Sequence, residues 1–147
     1  MIVDADACPV KKEIVQASMP YGIEVVMVAS YDHRIEPEPG VTVIQVDRSD
    51  QSVDLYISNR ISRGDVLVTQ DFGLAAVGLA KGAVVLSVRG QILTDEMIGF
   101  LLENRHTRMR QRRNGKYGKG PRPFTNEDRR SFLQCLTKVL RRMQEND

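Results

Sequence analysis

The sequence predicts a single α/β domain, a three-layer sandwich on an open, mainly parallel sheet of about five strands. Three observations carry that prediction. Short apolar runs alternate with helical patterns over the first 90 residues in the order β-α-β-β-α-β-α-β. Several of the runs are apolar nearly throughout, as strands covered by helices on both faces are. The length of 147 residues, with 41% hydrophobic and 27% charged side chains, is ordinary for one domain with a real core.

Residues 1–4 read as the first strand. A helix over about 9–19 follows, with Pro9 near the first position, where its missing N–H costs nothing, and with Ile14 and Val15 on the core side. Gly22 stops it. Residues 24–29 form a second strand. A turn-rich stretch, Glu36-Pro37-Glu38-Pro39-Gly40, leads into a third at 41–46. Val53, Ile57 and Ile61 recur at helical spacing over 52–61, and Gly64 ends that helix. A strand at 65–69, a helix at 72–81 closed by Gly82 and a fifth strand at 83–87 complete the alternation. Thr94 then caps a helix running to about 110. A basic, glycine-rich loop over 111–123 separates it from a last helix at about 125–144, with Thr125 as cap and Phe132, Leu133, Leu136, Val139, Leu140 and Met143 as its core stripe.

No run of ~18 apolar residues is present, so a membrane span is not expected, and the amino terminus reads as a strand rather than a secretory signal. Cys8 and Cys135 stand far apart in unlike contexts, which fits free thiols in a cytoplasmic protein better than a disulfide. The net charge of +2 hides a division: residues 1–103 carry a net −7 and residues 104–147 a net +9. An acidic body beside a basic segment suits a cation-binding centre next to an anion-binding arm.

The acids sort by strand end. Ligands of open parallel sheets bind beyond the carboxyl ends of the strands, where the winding reverses. Asp4 and Asp6 leave the first strand there, Asp71 leaves the fourth, Asp47 and Asp50 follow the third, and Asp54 lies in the first turn of the next helix. Asp65 precedes its strand and belongs to the opposite edge. Two acids as close as Asp4 and Asp6 repel unless a cation or a proton is shared. An all-oxygen site of this kind suits Mg²⁺ or Mn²⁺. The plainer alternative is that some of these acids are helix caps or solvated turn residues.

Asp4-Ala5-Asp6-Ala7-Cys8-Pro9-Val10, Thr69-Gln70-Asp71-Phe72-Gly73-Leu74-Ala75, Arg89-Gly90, and Gly120-Pro121 with Pro123-Phe124 together resemble the YaiI/YqxD family of uncharacterised bacterial proteins, over essentially the whole chain. That family looks like a branch of the PIN-like/NYN nuclease superfamily. The resemblance implies a PIN-like fold and metal-holding, catalytic aspartates at Asp4, Asp54 and Asp71, with Asp6 an extra acid of this branch. The chain departs from many active relatives in carrying Phe72, Gly73 and Leu74 where a second acid follows the Asp71 position.

The acid-free segment holding Arg105, His106, Arg108, Arg110, Arg112, Arg113, Lys116, Lys119 and Arg122 offers salt-sensitive phosphate contacts, with Tyr117 able to stack on a base. Its alternative is a solvated loop, or one folded back on the acidic body. Arg89 sits at the same edge as the acids and reads either as a phosphate clamp or as an ion-pair partner of an aspartate. Cys8 lacks an arginine at the spacing of a cysteine-phosphatase loop and reads as packing. His33 and His106 have no partner at metal-ligand spacing and are not expected to be catalytic. Ser30 reads as a turn residue.

Three functions fit. The first is a metal-dependent nuclease acting on RNA, with Asp4, Asp54 and Asp71 on Mg²⁺ or Mn²⁺, Asp6 a further ligand or water-orienting base, and Arg89, Arg108, Arg110, Arg112, Arg113, Lys116 and Lys119 binding the backbone. The second is a non-catalytic RNA-binding module of the same fold, supported by the missing acid after Asp71. The third, a haloacid-dehalogenase-like phosphatase, uses Asp4-Ala5-Asp6 but leaves no room for a flap before Pro9 and lacks the paired acids after the fourth strand.

Overall fold

The chain folds into strands β1 (Ile2–Asp4), β2 (Val25–Ser30), β3 (Val41–Val46), β4 (Val66–Val68) and β5 (Val84–Leu86) and helices α1 (Lys11–Ser18), α2 (Ser52–Arg60), α3 (Phe72–Ala80), α4 (Asp95–Arg113) and α5 (Asn126–Glu145). This is a computed structural model that describes residues 1–48, 51–113 and 122–146, and the side chains of all of these except 105–113. The five strands form one sheet in the order β3-β2-β1-β4-β5, every pair parallel. The chain therefore starts mid-sheet, adds β2 and β3 on one side, then crosses back to lay β4 and β5 on the other. The winding reverses between β1 and β4.

Strand alternation divides the core in two. Val3, Val25, Met27, Val66, Val68 and Leu86 point to the layer of α1 and α5, where Ile14, Phe132, Leu136 and Leu140 meet them. Ile2, Val26, Val28, Leu67 and Val85 point to the layer of α2, α3 and α4, against Val53, Ile57, Leu74 and Ile98. The expected three-layer sandwich is the observed one. On α5, Phe132, Leu136 and Leu140 are fully buried. At about 2 kcal/mol for each such side chain, an upper estimate, the last helix is a structural part of the domain and not an appendage.

Two boundaries differ from expectation by two residues or more. The first helix begins at Lys11, not at Pro9, because residues 5–8 form a tight turn in which Ala7 adopts φ 55° and the Cys8 N–H reaches the Ala5 carbonyl. The helix at Asp95 runs on to Arg113, taking in the first residues of the expected basic loop. Gln111, Arg112 and Arg113 are good helix formers, and no glycine or proline falls between Phe100 and Gly115. Both predicted caps are present: Thr94 accepts from the Met97 N–H (3.2 Å), and Thr125 forms a reciprocal capping box with Asp128.

Beyond β5 the chain touches α5 backbone to backbone. Gly90 has φ +85°, and a Cβ there would lie 2.5–2.7 Å from the main chain of Ser131 and Phe132. No side chain fits. Among the described residues no helix is long and apolar enough to cross a membrane.

Candidate functional site

Asp4 is the last residue of β1, beside β2 and β4, at the carboxyl end of the sheet. Asp71 follows β4 closely and caps α3, one carboxylate oxygen accepting from the Leu74 N–H at 2.8 Å. Thr69 joins the two. Its hydroxyl donates to Asp4 Oδ2 (2.9 Å) and accepts the Asp71 N–H (3.0 Å). Asp54 enters from the first turn of α2, with the Asp71 carboxyl in hydrogen-bonding reach. Three elements thus deliver three acids to the point where the winding reverses. Asp71 is also a helix cap, as the plainer alternative has it; its cap bond occupies Oδ1 and leaves the second oxygen of the carboxylate for another role.

The electrostatics are unfavourable to charge. Burial pushes the Asp4 carboxyl up to about 6, and the charges of Asp54, Asp6 and Asp71 push the same way against the Thr69 hydrogen bond. Asp54 is raised as well, by burial first and then by Asp71. Among the described residues no Lys, Arg or His pairs with any of the three.

The donor set is all oxygen, as Mg²⁺ and Mn²⁺ prefer. Among the described residues no group of three His, Cys, Asp or Glu side chains is drawn tightly enough to enclose a metal. The fit is therefore to a cation held by one or two carboxylates with water completing its shell, the common mode for Mg²⁺. A Cβ at Gly73 would stand 3.2 Å from Asp71 Oδ1, so the missing second acid leaves the cap oxygen uncrowded.

Asp6 is held apart from this trio. Its Oδ1 accepts the Ser30 N–H (3.0 Å) and pairs with His33 Nδ1 (3.0 Å). His33, expected to be isolated, has a partner after all. The signal is not helical spacing but strand register: Asp4 lies opposite Val28, so two residues further Asp6 lies beside Ser30 and its turn. The Ser30 hydroxyl also approaches His33 Nδ1, at 3.4 Å.

The remaining acids disperse. Asp47 is at the end of the edge strand β3, with β2 between it and β1. Asp50 lies outside the described residues. Asp65, at the opposite edge as expected, caps a turn by accepting from the Ser62 N–H and hydroxyl.

Arg89 does not reach the carboxylates. It donates to Asp128 (2.8 Å) and to the Arg122 and Pro123 carbonyls, its guanidinium over the Phe124 ring. The ion-pair reading holds, with an aspartate of α5 rather than of the cluster. Arg122, the last residue of the basic segment, binds both oxygens of the same Asp128. Cys8 is buried, and burial pushes its thiol up despite the nearby helix start, so packing is its role. Lys116, Tyr117 and Lys119 lie outside the described residues, as do the side chains of Arg105, His106, Arg108, Arg110, Arg112 and Arg113.

A protein-family model described as "Uncharacterized BCR, YaiI/YqxD family" matches residues 2–142. Among curated proteins, the chain is 45% identical over 140 residues to a UPF0178 protein of Bacillus cytotoxicus, covering 95% of this chain and 91% of that one. A UPF0178 protein of Halalkalibacterium halodurans is likewise 45% identical, over 95% and 89%. One of Listeria monocytogenes is 41% identical, over 95% and 94%. No solved structure matches.

Proposed function

The chain belongs to the YaiI/YqxD (UPF0178) family, and we propose that it is a metal-dependent nuclease of PIN-like fold that hydrolyses RNA. One observation carries the reading: three carboxylates from β1, α2 and the α3 cap come to the winding reversal, where burial and neighbouring acids push Asp4 and Asp54 up, with no basic partner among the described residues. With its carboxyl lifted from an ordinary 3.8 to about 6, holding Asp4 ionised at neutral pH costs about 3 kcal/mol. A divalent cation offsets that cost.

One or two of Asp4, Asp54 and Asp71 would hold Mg²⁺ or Mn²⁺, with water completing its shell. When bound, such a cation polarises a phosphoryl oxygen and acidifies a coordinated water. The chain's own part is to present the carboxylates. Thr69 fixes Asp4 against Asp71, and the α3 cap orients Asp71. Arg89 is assigned to holding α5, since Asp128 occupies it. Backbone contacts on RNA fall to Arg108, Arg110, Arg112, Arg113, Lys116 and Lys119, on the strength of the sequence alone.

Calorimetric titration of Mn²⁺ into the wild type and Asp4→Asn/Asp71→Asn tests the reading, followed by cleavage of a single-stranded oligoribonucleotide. Binding in the micromolar-to-millimolar range and cleavage, both lost in the double variant, support it. A folded wild type that takes up no Mn²⁺, with or without the RNA, overturns it.

The non-catalytic module rests on Phe72, Gly73 and Leu74 standing where many active relatives carry an acid. It predicts metal-independent RNA binding that survives Asp71→Asn and is lost on deleting residues 108–122. A phosphatase using Asp4 as nucleophile is disfavoured, because that carboxyl is largely withdrawn from water and held by the Thr69 hydroxyl. Turnover of p-nitrophenyl phosphate would revive it.

A further inference from the structure

Three features outside the carboxylate trio have chemistry to offer: the apolar groove between α1 and the start of β2, the Arg89–Asp128–Arg122 clasp, and the free side of β3. The groove, lined by Val15, Met19, Ile23, Pro39 and Val41, lies at the amino ends of the strands, and nothing in the structure shows what fills it. The clasp is fully paired and structural. The two flanks of the sheet differ, and the difference points to a partner.

β5 closes one flank and is covered. The Leu93 N–H reaches the Val85 carbonyl (2.8 Å), the Ser87 N–H reaches that of Gln91 (2.9 Å), and Leu86 bridges Ile92. β3 closes the other flank. Among the described residues it is covered only at its start, where the Val41 N–H reaches the Glu38 carbonyl (3.0 Å). Along a parallel ladder alternate residues address the neighbouring strand. The Val25 N–H reaches the Gly40 carbonyl and the Tyr31 N–H that of Val46, so the even-numbered residues of β3 face β2. Val43 and Gln45 turn their N–H and C=O groups the other way, where no described backbone group meets them. Open edges in native sheets are usually blunted by lysine, proline, a bulge or a covering segment. Residues 42–46, Thr-Val-Ile-Gln-Val, hold no charge and no proline, and their register with β2 runs unbroken. Ile44 and Val46 pack on the α2-layer core and are only partly buried, so apolar area is left to cover on the same strand.

We propose that β3 pairs with β3 of a second copy of this chain, antiparallel, about a two-fold axis at Ile44. The open stretch is self-complementary about that residue. Val43 falls opposite Gln45 of the other copy, and Gln45 opposite its Val43. Each such pair exchanges both N–H···O bonds, which satisfies every outward group of the two residues. Ile44 meets Ile44 as the closer, non-hydrogen-bonded pair, and Thr42 meets Val46. The turn at Glu38 stops the pairing at Thr42, which centres it on Ile44. A two-fold axis sets the same patch on both sides and closes the assembly at two chains. The joined sheet then ends on β5 at both flanks, each covered, so growth stops there. Because the two copies run antiparallel, their carboxylate sites open at opposite ends of the joined sheet. The pairing does not depend on what those sites do.

Sedimentation equilibrium of the full chain at concentrations up to ~100 μM tests the pairing. The wild type should give the mass of two 16.6 kDa chains. Gln45→Pro removes an outward N–H that the single chain does not use, so it should keep the circular dichroism spectrum and fall to the mass of one chain. Under mild oxidation Ile44→Cys should form a disulfide-linked dimer, seen on a non-reducing gel. Wild type and Thr42→Cys should not, since only the residue on the axis meets its own copy within ~7 Å. A wild type of single-chain mass over the whole range overturns the proposal, whatever other strand the flank accepts. A folded Gln45→Pro that stays dimeric overturns it, and so does crosslinking at Thr42 in place of Ile44.

Discussion

Asp4 and Asp128 are both largely withdrawn from water, and the protein treats them in opposite ways. Asp128, at 7% exposure, receives two arginines and both the N–H and the hydroxyl of Thr125. Arg122 beside it is the main cause of a carboxyl held down at about 2. Asp4 receives one threonine hydroxyl and three acidic neighbours, and stands at about 6. The first acid is at rest in the fold. The second is kept in a state the fold does not satisfy. The acid that holds structure is surrounded by its opposites, whereas the acid proposed above to take a cation is surrounded by its like.

Perturbing the clasp at its tightest point gives the largest expected effect. Gly90→Val needs both a positive φ and a Cβ inside the α5 main chain. It should cost ~3 kcal/mol or more and broaden or abolish the cooperative thermal transition seen by circular dichroism. Asp128→Asn comes next. It leaves Arg89 and Arg122 without their carboxylate and should lower Tm by several degrees, with Mn²⁺ affinity unchanged by calorimetry.

Asp4→Asn should move the other way. The native carboxyl lies above its ordinary value of 3.8, so its contribution to stability is complete below that pH and lost as pH rises through about 6. Above that range the metal-free wild type carries the full cost. The variant should therefore be more stable by about 3 kcal/mol at pH 7.5, close to wild type near pH 4, and unable to take up Mn²⁺. Urea unfolding at the two pH values checks this, and a variant less stable at pH 7.5 would erase the contrast with Asp128. The smallest change is Thr125→Ala, which removes half of the capping box for about 1 kcal/mol, without effect on the metal.

Most of the frame is legible in residue patterns. Apolar runs of four to six residues between helical spacings mark the strands, and Gly, Thr and Pro mark their ends. Asp4, Asp54 and Asp71 can be placed at one edge because strand direction alone decides which end of a parallel sheet an acid leaves from. What cannot be read locally depends on partners distant in sequence. His33 meets Asp6 only through the β1–β2 register. Arg89 meets Asp128 only once α5 is docked, so in the sequence an arginine at the right edge looks free to bind phosphate. The helix past residue 110 is hidden by its charge, which suggests a loop, although arginine and glutamine favour helix.

The position of α5 bears on how the protein is made. Its apolar stripe shares with α1 one side of a sheet whose strands all precede it, and its start is clasped to the turn after β5. During synthesis the part of that side left uncovered by α1 stays bare until residues 126–145 emerge, so the nearly finished chain carries an exposed apolar surface. A ribosome stalled within the basic segment, where arginine codons cluster, would hold the chain at its stickiest moment.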